Sequence, residues 1–240
     1  ALLDSYERER RPHAAAMTRE GIRMKDYVSM VNPLGTLLRN TLTRVVLKVP
    51  VLGDFVTRGD FIPKPTYRAG SHLGLARTLR NRAAGRQIPQ PLVRGALGRR
   101  QWLDELIGND PVLVGLAVDP RAYLGHDQLA QWSSLRTRFV CVHAHGKRPE
   151  GAGVDRAAPQ GLIEIEDIDG TLVEWLRGNG ARDGHVAIVR PDKVVFALVR
   201  GAQLGDATRE WARQLHLTGM RVDTDRAPAL EPVALVKEAA

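Results

Sequence analysis

PVLVGLAVDPRAYLGHDQLAQWSSLRTRFVCVHA, residues 111–144, decides the class of the fold. Its first part, PVLVGLAVD (111–119), is an almost unbroken apolar run of strand length that ends in a turn at Asp119-Pro120. DQLAQWSSL (127–135) reads as a helix, with Asp127 in the first turn where negative charge suits the helix dipole. RFVCVHA (138–144) is a second apolar run. Continuous rather than alternating hydrophobicity is the pattern of strands covered on both faces.

The pattern continues toward the C-terminus. KRPEGAGVDRAAPQ (147–160) is a polar loop rich in Gly and Pro, LIEIED (162–167) a short strand or extended segment, and TLVEWLRGNG (171–180) a helix with a glycine stop signal. HVAIVRPDKVVFALV (185–199) reads as two strands joined at Arg190-Pro191-Asp192-Lys193, and LGDATREWARQLHL (204–217) as the closing helix. From residue 111 the order is strand, helix, strand, loop, helix, antiparallel strand pair, helix. That is the element order of a thioredoxin-like α/β domain, here without a CxxC pair, since Cys141 is the single cysteine. The tail, 218–240, is polar, with one possible added strand at ALVKE.

Upstream the pattern is helical. LLDSYERERRPHAAAM (2–17) spaces Leu2, Leu3, Tyr6, Arg10, His13 and Met17 along one side of a helix that continues to Met30, where Asn32-Pro33 breaks it. Leu34, Leu37, Leu38, Leu42, Val45, Val46 and Val49 form the apolar side of a second helix, ended by Pro50. VLGDFV is a short apolar segment, and 81–101 reads as a linker with IPQP extended. A chain whose first residues already lie within a helix, with an apolar stripe on it, leads us to expect a preceding segment that covers that stripe.

Composition narrows the function classes. No apolar run approaches the roughly 18–20 residues of a membrane span, and the opening helix carries both charge signs, unlike a secretory signal. With one cysteine, a cytoplasmic protein is expected. The net charge of +8 is uneven: residues 1–100 hold 19 Lys and Arg against 7 Asp and Glu, and residues 101–240 hold 16 against 20. The basic residues are scattered singly and aromatics make up 5% of the chain, so nucleic acid is not expected as a partner.

Candidate chemical groups are few. Neither GxGxxG nor GxxxxGK[ST] occurs, so no nucleotide cradle is legible. His143 and His145 share a strand face, but a metal needs further ligands and none is near in sequence. Cys141, inside an apolar strand, reads as a small buried hydrophobe without a redox role. Glu164, Glu166, Asp167 and Asp169 read as a solvated strand edge. Ser5, Ser29, Ser71, Ser133 and Ser134 lack a nucleophile-elbow setting. No catalytic, cofactor-binding or metal residue is therefore expected in this chain. Trp102, Trp132, Trp175 and Trp211 all fall after residue 100, on or near helices. At least two should pack helices onto the sheet, while Trp175 and Trp211 are candidates for a subunit or domain contact.

Several of these stretches together resemble single-component FAD-dependent aromatic hydroxylases. LLDSYERERRPHA (2–14) is similar to the helix after that family's second FAD-contacting motif, RGDFIPKPTYRAG (58–70) to its proline-marked connection, and RQIPQPLV (86–93) to the passage into its last domain. LDELIGNDPVLVGLAVDP, QLAQWSSLRTRFVCV, GTLVEWLRGNGA and VAIVRPDKVVFA resemble that domain, which is thioredoxin-like and redox-inactive. The resemblance implies that 1–90 completes a flavoprotein body and that 98–217 is the thioredoxin-like domain. It implies an enzyme that uses FAD, NAD(P)H and dioxygen to hydroxylate a phenolic substrate ortho to its hydroxyl, and that associates as a homo-oligomer. The FAD-binding front of the family is missing, so no flavin or substrate residue carries over, and this chain alone should bind no FAD. The alternative expectation is a non-catalytic interaction or dimerisation module.

Overall fold

The fold is that of a computed structural model, which describes residues 2–57, 62, 66–67, 83–95, 98–149 and 161–215. The expected strand at ALVKE and most of the 58–70 connection lie outside these residues. Three helices come first. The first, α1 (Leu2–Val28), contains Pro12, which lacks the N–H that would bond to the carbonyl one turn back. At its far end Arg39 donates to the carbonyls of Tyr27 (3.1 Å) and Val28 (2.9 Å), a cation on the negative end of the dipole. The second, α2 (Pro33–Lys48), starts where Asn32 accepts the Leu34 N–H, with Pro33 in the first turn. Pro50 closes α2 but also opens a third helix, α3 (Pro50–Thr57), where the sequence suggests only an apolar segment. A proline in the first turn loses nothing, because that N–H has no helical partner anyway.

Seven strands form one sheet in the order β2-β1-β5-β4-β3-β6-β7. Its centre is β3 (Val112–Leu116), buried along its whole length. β3 pairs in parallel with β4 (Arg138–Ala144) across the helix α5 (His126–Ser134), and antiparallel with β6 (His185–Val189). β6 turns back through 190–194 into β7 (Val195–Arg200), and α7 (Leu204–Gln214) follows. This is the thioredoxin-like order expected from 111 onward. β5 (Leu162–Asp167) adds in parallel to β4 and leads into α6 (Thr171–Gly178). The 81–101 stretch is not a plain linker. β1 (Leu92–Arg94) and β2 (Arg100–Trp102) form a hairpin whose first strand pairs with β5, and α4 (Leu103–Ile107) follows, closed by Gly108 at φ 55°. Strands of three residues carry too little periodicity to stand out in sequence.

The sheet is covered on both faces. α4 and α6 bury Leu103, Ile107, Leu172 and Leu176 against Val112, Val140, Val142 and Ile165. On the other face α5 and α7 bring Trp132 and Trp211 onto Leu113, Phe139, Ile188 and Phe196. Trp211 lies 5.3 Å from Trp132 and meets Phe196 edge-on at 4.9 Å, while the Trp132 indole N–H donates to the Thr208 hydroxyl at 3.0 Å. Trp211 is 4% exposed, so it belongs to the core and not to the external contact suggested from sequence. Trp175 is only partly buried against the opposite core, and Trp102, on β2 at one end of the sheet, is 52% exposed. Trp211→Ala is expected to lower stability by about 3–5 kcal/mol, the range for deleting a buried indole. A shift of the urea midpoint at constant slope will measure it, and a loss under about 1 kcal/mol would contradict this packing.

Candidate functional site

Three features fall outside ordinary core packing. The first is a polar cluster on β4 and β5, beside Gly115 of β3. Cys141 and His143, two residues apart on β4, share a face, and the parallel register sets Glu164 of β5 directly beside Cys141. The His143 Nε2 lies 3.4 Å from Cys141 Sγ and 3.4 Å from a Glu164 carboxylate oxygen. Gly115 of β3 pairs with Cys141 from the other side. A Cβ there would come within 2.0 Å of the Val118 carbonyl oxygen, so only glycine lets the 117–119 turn fold back this closely. Burial pushes the Cys141 thiol up to about 12, the charges of Glu164 and Asp119 add to that, and a backbone hydrogen bond with Val118 opposes it. Such a thiol stays protonated at neutral pH.

His143 and His145, which share a strand face in the sequence reading, do not come together. β4 ends at Ala144, and His145 turns outward to sit 3.0 Å from Glu166. Nor is the acidic run a solvated edge, because β1 pairs with the outer side of β5 and makes it an interior strand. Glu166 is 5% exposed: one oxygen accepts the Gly146 N–H at 2.8 Å, and the other meets Arg94 at 3.1 Å. Asp167 is fully buried and accepts the Val173 N–H at 2.8 Å, anchoring the start of α6. Ser134 donates to the Gln131 carbonyl and so serves its own helix.

The second feature is the seam between α1 and the sheet. Glu9 accepts both ends of the Arg190 guanidinium, at 2.9 and 2.8 Å, and Asp192 meets both Arg190 (2.9 Å) and Arg10 (3.2 Å). The Arg10 guanidinium lies 5.1 Å above the buried Tyr67 ring, which His13 meets edge-on. The backbone completes the joint. Tyr67 N–H donates to Gly85, Gly85 to Val195, Val195 to Arg86 and Ile88 to Lys193, so 84–88 runs along the start of β7. The third feature is apolar. No side chain of α2 is buried, and Val31, Leu34, Leu37, Leu38, Leu42 and Val45 are exposed, Leu34 to 77%. A patch of this kind on a folded chain marks a surface that meets another one.

The starts of α2, α5 and α6 do not offer FAD a fitting cradle. A pyrophosphate needs free N–H groups at a helix start. Asn32 takes that place at α2, the Gln128 side chain accepts the Gly125 N–H at α5, and the Asp167 carboxylate holds the start of α6. Among the described residues no helix is long and apolar enough to cross a membrane.

Two outcomes follow from these contacts. Arg190→Ala withdraws the guanidinium from a carboxylate that is 2% exposed and should cost about 3 kcal/mol or more in urea denaturation. A cost below about 1 kcal/mol would show the seam to be marginal. The Gly146 N–H, with Arg94, His145 and Arg148 behind it, holds Glu166 below the usual carboxylate range. Its contribution is therefore complete above that range and lost as pH falls through the lower folded value. Burial raises Asp167 instead, so its protonation on acidification works in the opposite direction. Glu166→Gln should be less stable than the native protein at neutral pH, and the gap should close on acidification. A gap independent of pH would refute the assignment.

The chain as a whole is similar to known proteins. Over 211 residues the chain is 31% identical to the 3-(3-hydroxy-phenyl)propionate/3-hydroxycinnamic acid hydroxylase of Burkholderia cenocepacia (strain HI2424), covering 86% of this chain and 37% of that protein. It is 29% identical over 241 residues to the enzyme of the same name from Klebsiella pneumoniae subsp. pneumoniae, covering 98% of this chain and 40% of that one. The chain thus spans about two-fifths of the length of these curated relatives. The solved structure of the flavin-dependent monooxygenase PieE, in complex with FAD and substrate, superimposes with a TM-score of 0.50 at 15% identity. That match covers 90% of this chain and 40% of the other, and it is a likeness of fold alone. Residues 85–214, the hairpin, the seven-stranded sheet and its helices, match one family along their whole length, and this chain belongs to it: the HcaD C-terminal domain family.

Proposed function

We propose that this chain is the C-terminal portion of an FAD- and NAD(P)H-dependent monooxygenase that hydroxylates phenolic rings. Residues 1–90 complete the flavoprotein body and 98–217 form the thioredoxin-like domain beside it. The observation that carries the reading is the bare apolar side of α2, which a flavoprotein body would cover. The names and greater length of the relatives support it. Hydroxylated phenylpropanoid carboxylates are the substrate class, and the basic excess of residues 1–100 favours the approach of such anions.

In this reading the chain contributes no group to flavin chemistry. FAD supplies the oxygen-transfer chemistry from a site on the N-terminal portion, while this chain excludes water from one side of that portion and fixes its position through the Glu9–Arg190 seam. The enzyme works in the cytoplasm and as a homo-oligomer. Trp102, exposed on the end strand β2, favours a second reading in which the sheet domain itself makes the subunit contact.

The test is reconstitution with the FAD-binding portion of the Burkholderia cenocepacia relative, expressed separately. The chain alone should be colourless. Mixed with the flavin-loaded portion, it should co-sediment and raise substrate-dependent NAD(P)H oxidation above that of the portion alone. Flavin bound to the chain by itself, or no association in the mixture, would overturn the proposal. Dimers of the chain that dissociate in Trp102→Ala would establish the second reading.

A further inference from the structure

The Cys141 cluster has an arrangement that neither core packing nor the flavin reading requires. We propose that Cys141 Sγ, His143 Nε2 and Glu164 Oε1 form a site for one zinc-class divalent cation, open at its fourth position. All three donor atoms lie within 4.8 Å of one another, on paired parallel strands. Nothing in the sequence brings Glu164 there; the register of β5 does.

Four observations carry the assignment. A tetrahedral zinc site, with metal–sulfur bonds near 2.3 Å and metal–nitrogen or –oxygen bonds near 2.0 Å, sets neighbouring donors about 3.3–3.6 Å apart. The two separations around His143 are both 3.4 Å. Second, both run from the same ring nitrogen, whose single in-plane N–H or lone pair can point well at only one partner. A cation between the three satisfies all of them. Third, the donor set is one sulfur, one imidazole and one carboxylate, which suits borderline zinc and not the oxygen-seeking calcium or magnesium. Fourth, the site can be reached from solvent. Cys141 and His143 are buried, while the Glu164 side chain is 21% exposed and gives the ion its route in.

Binding replaces the Cys141 S–H bond by a sulfur–metal bond. The proton passes to solvent and the sulfur lone pair is donated to the metal. No change of oxidation state is involved. Water takes the fourth position, or an anionic group on a docked partner displaces it.

The experiment uses the full chain, reduced and freed of metal, titrated with cobalt(II) as the probe. Because the chain has one cysteine, a sulfur-to-cobalt charge-transfer band in the near ultraviolet can arise only at Cys141. We expect that band to saturate at one cobalt per chain and to vanish on adding zinc. Glu164→Gln, at the accessible rim, should keep the fold by circular dichroism and weaken cobalt binding by about tenfold or more. Folded native protein that shows no such band would overturn the proposal, even if Cys141→Ser or His143→Gln fails to fold. So would a band whose affinity is unchanged in Glu164→Gln.

Discussion

The parallel register of β4 governs this structure. One edge of β4 bonds to β3 and the other to β5, and its side chains alternate between two covered faces. Val140 and Val142 go to the core under α4 and α6, while Phe139 goes to the core under α5 and α7. Cys141 and His143 continue the second face along β4. A slip of one residue would exchange the two faces, expelling the valines and burying the imidazole in a hydrocarbon layer. The same constraint that fixes the core therefore fixes the polar cluster.

This explains what could be read in advance and what could not. The apolar runs at 112–116 and 138–144, the Asp119 turn and the hairpin at 190–193 are local signals, and the order of elements followed from them. The β1–β2 hairpin was illegible because its strands have no pattern of their own; β1 is held by β5, some 70 residues later. The same pairing turned an acidic run that looked like a solvated edge into an interior strand with Glu166 and Asp167 as anchors. Trp211 misled in the opposite way. Its helix is polar on one side, but the indole points inward to Trp132 and Phe196. Glu164 could join Cys141 and His143 only through strand register, which a single sequence does not display.

The helical arm obeys a different rule from the sheet. In the sheet domain, apolar side chains find one another within the chain. In α2 they do not, and the attachment of the arm rests on charge instead: Glu9, Arg10, Arg190 and Asp192 around the Tyr67 ring. A buried bidentate ion pair positions strictly while adding little net stability over an apolar substitute. The arm is thus oriented by its polar side and leaves its apolar side for another surface.

The two halves of that pair are 181 positions apart. At about 5–20 residues per second, roughly 10–40 s of synthesis separate them on the ribosome. Throughout that interval Glu9 has no Arg190 to meet, and α1 emerges as an undocked helix beside an uncovered α2. Closure of the seam waits for the β6–β7 turn, which brings Arg190 and Asp192 to α1. Until that turn is made, Glu9 lacks the cation that holds it in the fold.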